Sequence, residues 1–108
     1  MSCYVDPLFV MQSRNAQAFR VGARSGHRWC HLFTDGPLEE LHTLAAGIGM
    51  KRSWFQADAD VGHYDLTPSK REAALGAGAL EVDRRRAMEI WRATREAAAR
   101  KARLELLR

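Results

Sequence analysis

The most regular hydrophobic run in the chain is Arg28-Trp29-Cys30-His31-Leu32-Phe33-Thr34. Apolar residues fall on both of its faces, which predicts a central strand covered on both sides by helices. Ser2-Cys3-Tyr4-Val5-Asp6 predicts a shorter strand, ended by Pro7, which lacks the ladder donor and holds Asp6 extended at a strand end. Gly36-Pro37-Leu38-Glu39 opens a helix with Pro37 at the first helical position; Leu38, Leu41, Leu44, Ala45 and Ile48 form its buried stripe, and Gly47 and Gly49 mark its end. Arg52-Ser53-Trp54-Phe55-Gln56 predicts another short strand, and 57–62 an acidic turn leading into His63-Tyr64-Asp65. Pro68 to about Gly76 reads as a short Ala-rich helix and Ala79-Leu80-Glu81-Val82 as the last strand, with Gly76-Ala77-Gly78 as a turn between them.

Two stretches depart from this alternation. From Leu8 to Gly26 no periodicity is clean, which predicts a long Arg-bearing loop with a helical turn near Asn15 to Phe19. From Arg84 to Arg108 the propensity is helical, but the stripe traced by Ala87, Ile90, Trp91, Thr94, Ala98 and Ala102 is thin and mostly alanine beyond Trp91. The first turns of that helix are expected to dock, the last to fray or meet a partner. Strand and helix otherwise alternate, so the expected architecture is α/β: one small domain over residues 1–83, a short, partly parallel sheet flanked by helices, and a basic C-terminal helical extension over 84–108.

Length and composition narrow the class without naming a function. At 108 residues there is room for one domain, burying roughly two thirds of its unfolded surface, and 46% hydrophobic with 28% charged residues is ordinary for a globular protein. The start of the chain has no secretory signal and no apolar run is long enough to span a bilayer, so the expected location is cytoplasmic, with no membrane contact. Cys3 and Cys30 lie in strand-like runs without metal-ligand spacing and read as buried thiols. The net charge of +4 is unevenly divided: residues 1–83 carry 8 Lys or Arg against 10 Asp or Glu, a net of −2, whereas 84–108 carry 9 against 3, a net of +6. Any electrostatic attraction for nucleic acid therefore rests on the tail and the Arg-bearing loop.

Candidate chemistry concentrates between His63 and Arg71. Alternate residues of an extended segment share a face, so His63 and Asp65 point one way and Tyr64 the other. Thr67 supplies a hydroxyl N-cap and Pro68 suits the first helical position; with Ser69, Lys70 and Arg71 they make a helix start able to hold phosphate or carboxylate. Asp6, His31, His63 and Asp65 are expected at neighbouring strand ends, a mixed imidazole and carboxylate set suited to a divalent metal such as Zn, Mn or Fe. The same residues also fit a satisfied hydrogen-bond network, or a metal-free site in which His63 serves as acid or base oriented by Asp65. His42 is expected at the core edge or packed under the site, and Tyr4, Trp29, Trp54, Phe55 and Tyr64 in the core.

The motifs Tyr4-Val5-Asp6, Trp29 to Asp35, Glu40-Leu41-His42, Trp54-Phe55-Gln56, His63-Tyr64-Asp65, Lys70-Arg71 and Gly78-Ala79-Leu80-Glu81 occur in one order. In this series the chain resembles family 4031 of the domains of unknown function, found in bacteria and phages; the resemblance runs from Tyr4 to Val82 and implies no established reaction. Such sequences follow the first motif with a second acid and a shorter connection, whereas here Asp6 meets Pro7 and the Arg-bearing loop. Gly36 stands where a hydroxyl cap is common in the family, and the tail after Asp83 lies outside the resemblance.

The expected function is binding of a phosphate-bearing or otherwise anionic, nucleotide-like small molecule, with metal-assisted hydrolysis as its catalytic form. The competing class is a non-enzymatic module. In it, Arg84, Arg85, Arg86, Arg92, Arg95, Arg100, Lys101 and Arg103 contact nucleic-acid phosphates, or Ile90, Trp91, Leu104, Leu106 and Leu107 bury against a second copy in a homodimer.

Overall fold

The computed structural model describes residues 2–11, 20, 21, 23 and 26–108. Its hub is the strand predicted to be central, β3 (Arg28–Thr34). β1 (Cys3–Val5) pairs antiparallel with it, Cys3 opposite Thr34 and Val5 opposite Leu32, and β4 (Tyr64–Leu66) pairs antiparallel through Cys30–Leu66, His31–Asp65 and Leu32–Tyr64. β5 (Leu80–Glu81) joins β1 in parallel, which makes the five-stranded sheet mixed.

The segment after Pro7 is not all loop, as its lack of periodicity suggested. Phe9–Val10 forms β2, antiparallel to β3 at Trp29 and Arg28. Between β1 and β2 the register slips by one residue, and the Asp6 side chain bridges the gap: its Oδ1 accepts the backbone N–H of His31 at 2.6 Å. The expected turn at Asn15 to Phe19, with Arg14 and Arg24, lies outside the described residues.

Helices cover both faces of the sheet. α1 (Leu38–Gly47) and α2 (Pro68–Gly76) bury Leu41, Ala45 and Ala74 against Val5, Cys30, Leu32, Tyr64 and Leu66. α3 (Arg84–Leu106) covers the other face, where Ala87 and Ile90 enclose Phe33 with Tyr4, Val82 and Trp91 at the margin. Strand parity decides which residue meets which helix. Cys30, Leu32, Tyr64 and Leu66 face α1 and α2, so Phe33 and, by the same alternation, His31, His63 and Asp65 face α3.

Several expectations shift at the element ends. Pro37 is the N-cap of α1 rather than its first helical residue, and Leu38 is largely exposed instead of buried. Arg52–Gln56 is not a strand. The N–H groups of Trp54 and Phe55 turn back to the carbonyls of Lys51 and Arg52, closing a 3-10 turn over Arg52–Trp54 that leaves Trp54 outside the core. Only Gln56 reaches the sheet, through an isolated bridge to His63, and Phe55 packs where any side chain on Gly62 would collide with its ring. α3 begins at an Asp83 cap whose carboxylate accepts the Arg86 N–H at 2.7 Å. Beyond Thr94 every residue is exposed, Ala98 and Ala102 included, although the helix persists to Leu106. Among the described residues, no helix is long and apolar enough to cross a membrane.

Candidate functional site: a histidine and carboxylate cluster under the C-terminal helix

Because His31 lies opposite Asp65 in the ladder and His63 is two residues before Asp65, the three side chains converge on the α3 face of the sheet. Their donor atoms lie within 4.8 Å of one another, and His63 Nε2 stands 3.4 Å from Asp65 Oδ1. Tyr64, between them in sequence, points into the opposite core with its hydroxyl 2.8 Å from His42 Nδ1. His42 thus borders the core on the far side, beside Phe55, and burial together with the charge of Arg52 lowers its pKa.

Each imidazole of the cluster is anchored through Nδ1. In His31 that atom lies 2.7 Å from Asp6 Oδ2, and in His63 it lies 2.8 Å from the Val61 carbonyl oxygen. A carbonyl only accepts, and so does an ionised carboxylate, so both Nδ1 atoms carry hydrogen and Nε2 is left as the basic nitrogen of each neutral ring. Burial opposes charging of His63, but the Asp65 carboxylate and the Val61 carbonyl outweigh it and hold the pKa above the ordinary imidazole value. Asp65 Oδ1 is buried, and its neighbour His63 Nε2, at 3.4 Å, has a hydrogen to offer it only when that imidazole is protonated, so beside the neutral ring it accepts no hydrogen bond. A buried, unsatisfied carboxylate oxygen costs free energy; the buried Trp29 Nε1, a donor, also lacks a hydrogen-bond partner.

Aromatic rings wall the cluster. His31 and His63 meet edge to face at 4.8 Å between centroids, and Trp91 lies 5.4 Å from His31 and 5.2 Å from His63. Phe9 packs 5.0 Å from His31. Neither Trp91 nor Phe9 was singled out as a site residue by the sequence pattern. The signal for Trp91 was present, since it sits in the one stretch of the tail stripe with large apolar side chains.

The remaining candidate residues are placed differently. Asp6 sits behind His31, with both carboxylate oxygens engaged by that residue. Thr67 caps α2, accepting the Lys70 N–H, and its hydroxyl lies 3.3 Å from Ser69 Oγ. Lys70 Nζ donates to the Ile48 carbonyl at 2.5 Å and ties α2 to the end of α1. Arg71 is buried; its Nε donates to the Asp6 carbonyl at 3.0 Å and a terminal nitrogen pairs with Glu81 at 3.3 Å. The two cations of that helix start therefore join elements of the fold. Cys3 and Cys30 are buried free thiols, as expected, and burial first of all pushes Cys30 up to about 12. Ile90 is buried within the chain and Trp91 packs on the cluster, which leaves Leu104, Leu106 and Leu107 as the exposed leucines of the tail.

Fold and cluster together define a small α/β domain whose polar site lies on one sheet face beneath a C-terminal helix. The chain belongs to the family described as a protein of unknown function (DUF4031), which it matches over residues 4–94. Comparison with curated proteins and with solved structures finds no match to either. The family match extends beyond Val82, where the resemblance of the motifs stopped, and takes in the first turns of α3. Trp91 therefore lies inside the family region, and the exposed end of the helix outside it.

Proposed function

We propose that His31, His63 and Asp65 hold one divalent transition metal, and that the protein uses it to bind, and in its catalytic form hydrolyse, a phosphate-bearing or otherwise anionic small molecule. The observation that carries this reading is the buried Asp65 Oδ1 without a hydrogen-bond partner, beside two imidazoles whose Nδ1 positions are already taken. Metal-ligating histidines commonly donate their other N–H to a carboxylate or a backbone carbonyl, and Asp6 and Val61 are such partners. Asp6 is then an outer partner that orients His31, not a ligand.

Dimensions fit the proposal. Bonds of roughly 2.0 to 2.1 Å in tetrahedral geometry put neighbouring ligand atoms about 3.3 Å apart. The His63–Asp65 pair already has a 3.4 Å separation, and the third donor, within 4.8 Å, needs an inward shift of side-chain torsion size. Two nitrogens and one oxygen suit Zn, Fe or Mn, and three protein ligands leave a position for an exogenous group. A metal held there supplies Lewis acidity and makes water a usable nucleophile near neutral pH. With a single carboxylate among the three ligands, the metal and its ligand set carry a formal positive charge before the outer Asp6 carboxylate is counted, and the open position can take an anionic group even though Lys70 and Arg71 are engaged elsewhere. A metal-free alternative uses the same atoms, with His63 as acid or base against Asp65.

Titration of metal-free protein with Co²⁺ and Zn²⁺ tests the reading. Wild type is expected to bind one equivalent, with Co²⁺ absorption of a low-coordinate nitrogen and oxygen site. His63→Ala and Asp65→Ala, shown to be folded by circular dichroism, are expected to lose binding by at least about a hundredfold, near 2.7 kcal/mol. Folded wild type that takes up neither ion at millimolar concentration rejects the metal, and loaded protein inert toward activated phosphate esters rejects the hydrolytic part.

A second reading is favoured by the exposure of everything past Thr94, where Arg95, Arg100, Lys101, Arg103 and Arg108 outnumber Glu96 and Glu105, although Arg95 also reaches Asp60 at 3.4 Å. This end suits salt-dependent phosphate contacts with nucleic acid. A chain ending at Thr94 should keep the cluster and lose such retention; equal retention by both chains rules the tail out.

A further inference from the structure

We propose that Trp91 is a positioning residue for this centre, holding the His31 and His63 rings in ligating orientation, so that the docked start of α3 is a working part of the site. The inference rests on the metal reading above but is carried by separate geometry. The Nδ1 anchor of each imidazole leaves the ring free to rock about the axis through that hydrogen bond. Trp91 packs at 61° to His31 and at 48° to His63, while the two imidazoles stand at 86° to each other. Three rings in mutual contact restrict one another's rocking in a way that no single contact does.

The rest of the neighbourhood shows why this task falls to α3. His31 has Phe9 on another side, at 5.0 Å, but His63 has no other aromatic contact among the described residues beyond His31 and Trp91. Trp91 is itself braced by Phe33 at 5.3 Å, and Phe33 is fully buried among Ala87 and Ile90. The brace runs from the core of the α3 face to the two imidazole rings. An apolar wall also excludes water from the ligands, which strengthens their hold on a cation.

The test compares full-length Trp91→Leu and Trp91→Phe with wild type. Leucine keeps an apolar contact for α3 but cannot reach both imidazoles, whereas phenylalanine retains an aromatic edge. The readouts are Co²⁺ affinity and the nitrogen-15 signals of the two histidine rings in metal-free protein at pH 9. Expected are an affinity loss of roughly tenfold in Trp91→Leu, with ring signals averaged between tautomers, and near-wild-type values in Trp91→Phe. A folded Trp91→Leu protein with wild-type affinity and wild-type ring signals overturns the proposal. If wild type itself takes up no Co²⁺, the metal reading fails and the ring signals alone decide whether Trp91 positions the rings. Should Trp91→Leu not fold, the same two readouts on Trp91→Met decide.

Discussion

The protein holds two polar clusters a few residues apart in sequence, and they differ in what their atoms lack. At the start of α2, Thr67 caps Lys70, Lys70 reaches the Ile48 carbonyl, and Arg71 joins Asp6 to Glu81. On the α3 face, His31 and His63 are anchored at one nitrogen each while Asp65 Oδ1 is buried without a hydrogen bond. Both stretches are rich in groups that sequence reading assigns to binding. A fully satisfied network does its work in the folded chain itself, whereas a buried acceptor left open has been kept at a cost that something else must offset.

That contrast predicts opposite responses to mutation. Arg71→Ala should give the largest loss of stability, about 2 to 3 kcal/mol by urea unfolding, because it removes a buried donor from the Asp6 carbonyl and opens a cavity between α2 and the sheet. The value is kept below that of a fully buried ion pair because Glu81 is 66% exposed and is rehydrated easily. Lys70→Met should cost less, about 1 kcal/mol, by leaving the Ile48 carbonyl to water. Metal-free Asp65→Ala, by contrast, should unfold within about 1 kcal/mol of wild type at pH 8, since no donor is bonded to Asp65 Oδ1 for its removal to orphan. If Asp65→Ala is as damaging as Arg71→Ala, the two clusters are alike, and the cluster under α3 is a structural network after all.

Much of this was legible in the chain, for a definite reason. Strand periodicity places side chains by parity, and parity alone put His63 and Asp65 on one face and identified Arg28–Thr34 as the doubly covered strand. What periodicity cannot carry is register between strands and the path of short segments. That His31 stands opposite Asp65, and that the Asp6 carboxylate fills a one-residue slip beside it, depend on pairings between distant parts of the chain. Phe9–Val10 is too short to show a period, and Trp54 and Phe55 have high strand propensity in isolation although Arg52–Trp54 closes a 3-10 turn. The helix start at Thr67 is capped as its local pattern predicts, but its cations face the carbonyls of Ile48 and Asp6, which no local pattern announces. Trp91 joined the site through the docking of α3, a tertiary event.

The smallest predicted effect concerns a third, solvent-facing polar group that is neither open nor buried. Asp35 accepts the Ser2 N–H at 2.7 Å and the Tyr4 hydroxyl at 2.8 Å, linking the end of β3 to β1. Burial by itself would raise its pKa, but these two donors outweigh it and hold the carboxyl below its usual value of 3.8. A carboxylate lowered in the folded state adds stability above its unfolded pKa, and that stability is lost as pH falls through the folded value. Solvent screening keeps the contribution to a few tenths of a kcal/mol. Asp35→Asn should therefore match wild type below pH 3 and fall slightly short of it at pH 5 to 6 in urea unfolding. His63 acts in a separate window: its raised pKa adds stability below the unfolded value, near 6.5, which is lost as pH rises through the folded one. If Asp35→Asn instead alters stability only above pH 6.5, the acid-limb effect belongs elsewhere.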